Sequence, residues 1–165
     1  MQTFLPVPDY GSTALCLDDR RLSNQRGEAK VILRVLLGVT DGWQHHPAVQ
    51  MWHGYERSLA EYASLVCVEW RERGGADSLL PWFCVSMDRL PDTGPPPWLG
   101  DAAFHASHRS NLLRKDPGWY GRFGWTEPDD LPYVWPKPTD RRLDDTAPPP
   151  AVVRRVVDWW STRLT

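Results

Sequence analysis

The sequence predicts an all-α fold, a single compact domain of three main helices with long Pro-rich loops and an extra C-terminal helix. Three observations predict it. Apolar residues recur at three- and four-residue intervals through the long segments. Those segments stop at Gly or Pro, as helices do. No strand-rich region interrupts them. The 165 residues are 41% hydrophobic and 24% charged, enough to bury a core without disulfides or a metal.

Residues 1–11 read as a short extended arm punctuated by Pro6, Pro8 and Gly11, with Ser12 capping a first helical turn. A long helix is expected from Asp18 to Leu37, ending at Gly38; its apolar ridge is Leu22, Ala29, Ile32, Leu33 and Leu36. Arg21, Gln25 and Glu28 follow at i, i+4 and i+7, so one polar face carries all three. After the loop Thr40 to His46, Pro47 suits the first position of a second helix. Trp52, Tyr55, Leu59, Tyr62, Val66 and Trp70 form its wide apolar stripe, and Gly74-Gly75 end it.

Residues 76–100 contain Pro81, Pro91 and the run Pro95-Pro96-Pro97, and read as an ordered loop with one short helix around 79–88. A third helix is expected from the cap Asp101 to Lys115. From Thr126 to Pro150 the chain is acidic, holds seven prolines and reads as an irregular strap. Ala151 to Leu164 completes the reading as a last helix packed on the same domain.

Composition narrows the function. Cys16, Cys67 and Cys84 have no metal-ligand spacing and read as reduced thiols in a cytoplasmic protein. No 18-residue apolar run or signal-peptide pattern points to a membrane. The protein is expected to act as a monomer. A net charge of -2 argues against indiscriminate coating of DNA, yet it leaves room for a local basic face.

Such a face is suggested by FHASHRSNLLRKDPGWYGRFGW, residues 104–125. Arg109, Arg114, Lys115 and Arg122 against Asp116 give it a local charge of +3. Cations can hold phosphates while flat rings, here Trp119 and Tyr120 foremost, stack on unpaired bases. The competing reading is a helix that packs its aromatics into a core and leaves its cations in water.

The grouping best suited to chemistry is Glu28 with Arg20, Arg21, Gln25 and Arg26 close by. A carboxylate there can act as general acid or base, or stabilise a cationic sugar, while the arginines hold phosphates beside a flipped nucleotide. A surface salt-bridge ladder is the plainer alternative. His45, His46, His105 and His108 invite a metal reading, but no nearby Cys or Asp completes a recognised motif; hydrogen-bonding or phosphate-contacting roles fit better. No metal and no cofactor is expected.

Three blocks together resemble the pyrimidine-dimer DNA glycosylase family, small all-α phage-type repair enzymes. LDDRRLSNQRGEAKVIL matches the helix in which a Leu is followed six residues later by the catalytic Glu, here Leu22 and Glu28. The segment from Pro47 through EWRERGG matches the long central helix, and HASHRSNLLRKDPGWYGRF the closing helix and its Pro-x-Trp-Tyr tail. The resemblance covers roughly residues 1–125, leaving 126–165 as an addition.

The resemblance implies that the N-terminal α-amine attacks the sugar C1′ to form a Schiff base, supported by the Glu. Carried over, Met1 supplies the amine and Glu28 the acid/base. Arg21 and Arg26 become phosphate or lesion contacts, and Arg114, Trp119 and Tyr120 join the DNA face. An ordinary α-amine, with a pKa near 8, is partly unprotonated at neutral pH and suits the task.

The sequence therefore supports a DNA N-glycosylase acting on a damaged or modified base in duplex DNA, with an AP lyase step if the amine reacts. Its catalytic residues would be Glu28 and Met1. The DNA contacts would come from Arg20, Arg21, Gln25, Arg26, His45, His46, His105, His108, Arg109, Arg114, Lys115, Trp119 and Tyr120. Two other readings use the same chain: a non-catalytic nucleic-acid or nucleotide binder of this fold, and a His-based metal-dependent hydrolase.

Overall fold

The computed structural model describes residues 1–137, so the latter part of the strap and the expected helix over 151–164 lie outside the described residues. Among the described residues there are seven α-helices, one 3-10 turn and no strand. The chain order is α1 (Tyr10–Cys16), α2 (Asp19–Leu36), α3 (Pro47–Gln50), α4 (Glu56–Glu72), α5 (Leu80–Arg89), α6 (Ala102–Lys115) and α7 (Pro117–Tyr120). The 3-10 turn Gly121–Phe123 follows. No helix among them is long and apolar enough to cross a membrane.

The helix α2 forms where the ridge predicts. Asp18 caps it by accepting from the Arg21 backbone N–H, Leu22, Ala29, Ile32 and Leu33 are fully buried, and Gly38 ends it at φ 66°. Its main neighbour is α4, which also packs on α1 and α5. Leu59, Tyr62, Ala63 and Val66 line the buried side of α4. At its far end Gly75 lies under the Trp70 indole, where an added Cβ would stand 2.0 Å from the ring, so only glycine fits.

Two local expectations change. Asp9, not Ser12, caps the first helix; its carboxylate accepts from the Ser12 N–H. The stripe from Pro47 to Trp70 is two helices, not one. Gly54 turns the chain at φ 81°, and its N–H donates to the Glu56 carboxylate at the start of α4. The break lets Trp52 point inward and donate its indole N–H to Thr3 Oγ1 at 2.9 Å. A buried turn and a buried helix stripe give the same apolar spacing.

The N-terminal arm is extended as expected, but it runs through the interior. Thr3 and Leu5 are fully buried and Phe4 nearly so. An extended segment inside a protein must satisfy its backbone polar groups, normally in a sheet. Here side chains do it. Phe4 N–H donates to Gln25 Oε1 at 2.8 Å and Leu5 N–H to His108 Nδ1 at 3.1 Å. The carbonyls of Gln2, Phe4, Leu5 and Pro6 accept from Gln25, Tyr62, His105 and Arg109 in turn.

Candidate active site

Because helices α2, α4 and α6 all bond the arm, Met1 is held at a fixed place beside α2. Gln25 is the central clamp: its Oε1 accepts from Phe4 N–H and Tyr62 O–H, while its Nε2 donates to the Gln2 carbonyl. One turn further along the same helix is Glu28, half-buried.

Across from them His46 caps α3, its Nδ1 accepting from Ala48 N–H at 3.1 Å, so the proton of the neutral ring sits on Nε2. Burial lowers the His46 pKa most, the Met1 α-amino charge lowers it further, and Glu28 pulls it back up. The Met1 and Glu28 charges thus act on His46 in opposite senses.

Aromatic rings border the His46 side chain. His46 meets Trp43 at 5.7 Å and Trp135 at 6.2 Å, both near-perpendicular, and Trp135 leans on Tyr133. Burial raises the Tyr133 pKa, while the Gln2 amide and the charges of Arg114 and Arg21 oppose it. Residues 41–47 line a shallow open depression next to His46.

The structure uses several of the expected DNA contacts differently. His105 and His108 are buried, at 3% and 0% exposure, and hold the arm rather than reach solvent. Their hydrogen bonds fix the tautomers. His108 Nδ1 accepts from Leu5 N–H, so its proton is on Nε2. His105 Nε2 accepts from Gly100 N–H, so its Nδ1–H donates to the Leu5 carbonyl at 2.7 Å. Burial pushes both imidazoles down, His108 to about 3. Arg109 bonds Glu127 and the Pro6 carbonyl, and Gln25 is buried.

The cations on α2 divide. Arg26 is drawn away to Asp77, at 2.6 Å, and lies over the Trp70 ring. Arg21 pairs with Asp18 at 2.9 Å and lies over the Tyr120 ring at 6.0 Å. Arg20, His45, Arg114 and Lys115 are exposed. Tyr120 is buried, its hydroxyl donating to Asp18 at 2.5 Å. Trp119 donates to the Cys16 carbonyl and carries Arg122 over its face at 3.5 Å. Among the described residues no group of three or more His, Cys, Asp or Glu is arranged to hold a metal ion, which separates His45 and His46 from His105 and His108.

Residues 1–80, the arm through the start of α5, match the family model described as Pyrimidine dimer DNA glycosylase. Over those residues the chain is similar to that family. The match takes in the first two of the three blocks that carry the sequence resemblance; the third, on α6 and α7, lies beyond it. No curated protein and no solved structure matches the chain.

Sequence reasoning missed Gln2, Trp43, Tyr62, Tyr133 and Trp135. Gly42-Trp43, a tryptophan beside glycine outside every helical stripe, was the one signal available for Trp43.

Proposed function

We propose that the protein is a DNA N-glycosylase for pyrimidine dimers in which the Met1 α-amine is the nucleophile and Glu28 the acid/base. The observation that carries this reading is the arm itself, held by side chains from three helices, with the carbonyl next to Met1 bonded by Gln25 one helical turn from Glu28. The family match over residues 1–80 supplies the substrate class.

In this reading the amine lone pair attacks C1′ of a damaged nucleotide. The C1′–N bond breaks, its electron pair goes to the pyrimidine, and the pyrimidine takes up a proton while staying joined to its neighbour through the dimer. The amine then loses its own proton as the sugar ring opens, giving a Schiff base that permits strand cleavage by loss of a proton from C2′. Glu28 stabilises the cationic sugar and carries the protons. Arg21 and Arg114 would contact flanking phosphates, and Arg20 and Lys115, both exposed, would join them.

The test is cleavage of the glycosidic bond in a duplex holding one thymine dimer, read as free thymine once the dimer is photoreversed. Glu28→Gln should slow it by about 10²–10⁴-fold, the usual loss for a general acid/base, with the fold unchanged. Equal rates in the two proteins would remove Glu28 from the chemistry.

A further inference from the structure

We propose that Gly27 is a clearance for substrate: its missing side chain lets the sugar–phosphate backbone of the damaged strand come close to α2, beside Glu28. The proposal rests on the glycosylase reading above. Gly27 stands in the middle of α2 and is exposed, and a Cβ built there meets nothing within 4 Å. Glycine in a helix interior is destabilising relative to alanine, so the helix bears a cost at this position. Other glycines have their reasons inside the protein. Gly38, Gly74 and Gly124 hold positive φ, and Gly75 lies under the Trp70 indole. Gly27 has a helical backbone and no neighbour to avoid, so the space it leaves is space for something outside the chain.

The residues around the gap identify what enters it. From Arg20 to Val31 the exposed positions are Arg20, Asn24, Gly27 and Val31, one stripe at i, i+4, i+7 and i+11. Glu28 follows Gly27 and is half-buried at the edge of this stripe. The α2 cations that could neutralise it are engaged elsewhere, Arg21 with Asp18 and Arg26 with Asp77. Among the described residues the Glu28 carboxylate has neither an ion pair nor a hydrogen bond. A free carboxylate beside a notch in the helix surface suits a deoxyribose whose C1′ gains cationic charge as its bond breaks. Arg20 and Asn24, on the same stripe, can hold the neighbouring phosphate. Glycine is the residue that permits such close approach. A methyl group at position 27 would stand between strand and helix and hold C1′ back from Glu28.

The experiment measures glycosidic cleavage in a thymine-dimer duplex under single-turnover conditions at sub-saturating enzyme, beside denaturant unfolding of the same proteins. Gly27→Ala should raise the denaturant midpoint, since alanine is the better helix former, yet slow cleavage by about 10-fold. Gly27→Leu should slow cleavage by about 100-fold, the loss that a displacement near 1 Å can cause. Opposite signs in stability and rate are what a purely structural glycine would not produce. Stabilised variants that cleave at the wild-type rate would overturn the proposal. Loss of rate together with loss of stability would give Gly27 a role in folding alone, and would overturn it too. A wild-type protein that leaves the glycosidic bond intact would overturn the glycosylase reading, and this proposal with it; the wild-type control separates the two failures.

Discussion

The loop before α3 and the aromatic tail after α6 have similar ingredients and opposite circumstances. Around the loop are Trp43, His45 and His46; in the tail are Trp119, Tyr120, Arg122, Phe123 and Trp125. In the tail nearly every group is answered from within: Tyr120 by Asp18, Trp119 by the Cys16 carbonyl, Arg122 by the Trp119 face, Trp125 by two stacked rings. In the loop the largest ring faces solvent, and the histidine beside it feels the amine and the carboxylate. Aromatic and basic composition marks both regions as possible nucleic-acid surfaces. What separates them is whether the fold has already satisfied the groups.

The same contrast explains α6. Its His105, His108 and Arg109 form a basic stripe in sequence, yet their work is to hold the arm that delivers Met1. The helix acts on the site from behind, and the loop from in front.

Mutations sharpen the comparison, beginning with the arm. His108→Ala would leave Leu5 N–H buried without a partner and open a cavity, costing about 3–5 kcal/mol of stability. Glycosidic cleavage should fall as well, because Met1 loses its anchorage. Denaturant titration beside the dimer assay checks this; a stable, fully active variant would show that the arm positions nothing.

Acid should find the same weakness. Both α6 imidazoles have folded pKa values below the unfolded value near 6.5. The unfolded chain therefore takes up protons that the folded protein refuses, so their contribution is intact above pH 6.5 and declines as pH falls, for His108 down to about 3. Each such group removes roughly 1.4 kcal/mol per pH unit in that window. Unfolding free energies from pH 7 to 5 measure the slope, and His108→Asn should flatten it. A flat wild-type profile would contradict the neutral tautomers.

The smallest effect belongs to the tail. Arg122→Ala removes an exposed cation from the Trp119 face and should cost about 0.5–1 kcal/mol. It should change glycosidic cleavage by less than about fivefold, since one exposed cation–π contact is worth no more than that range. A large loss of binding would return the tail to the DNA surface.

How much of this was legible in the sequence varies by element. The ridge of α2 and the Gly38 stop are local signals, and they gave the helix within a residue at each end. The Gly54 break was hidden because Trp52 and Tyr55 are buried in a turn at the spacing a helix would use. The arm shows the harder case. Its Pro residues forecast extended chain, but its partners Tyr62, His105 and His108 lie 58 to 103 residues away, and no local pattern encodes such pairings. For the same reason His105 and His108 could be placed on one helical face but not assigned to the interior. Glu28 was legible through its distance from Leu22; its company with His46 was not, since that depends on how α3 is set against α2.

The central claim is that the arm brings the Met1 amine to Glu28. Borohydride reduction during reaction with a thymine-dimer duplex, followed by peptide mapping of the adduct, tests it most directly. The account predicts one covalent protein–DNA species, reduced at the Met1 nitrogen and absent when that nitrogen is acetylated. Glycosidic cleavage with no trapped species, or an adduct mapped to Lys30 or Lys115, would contradict it.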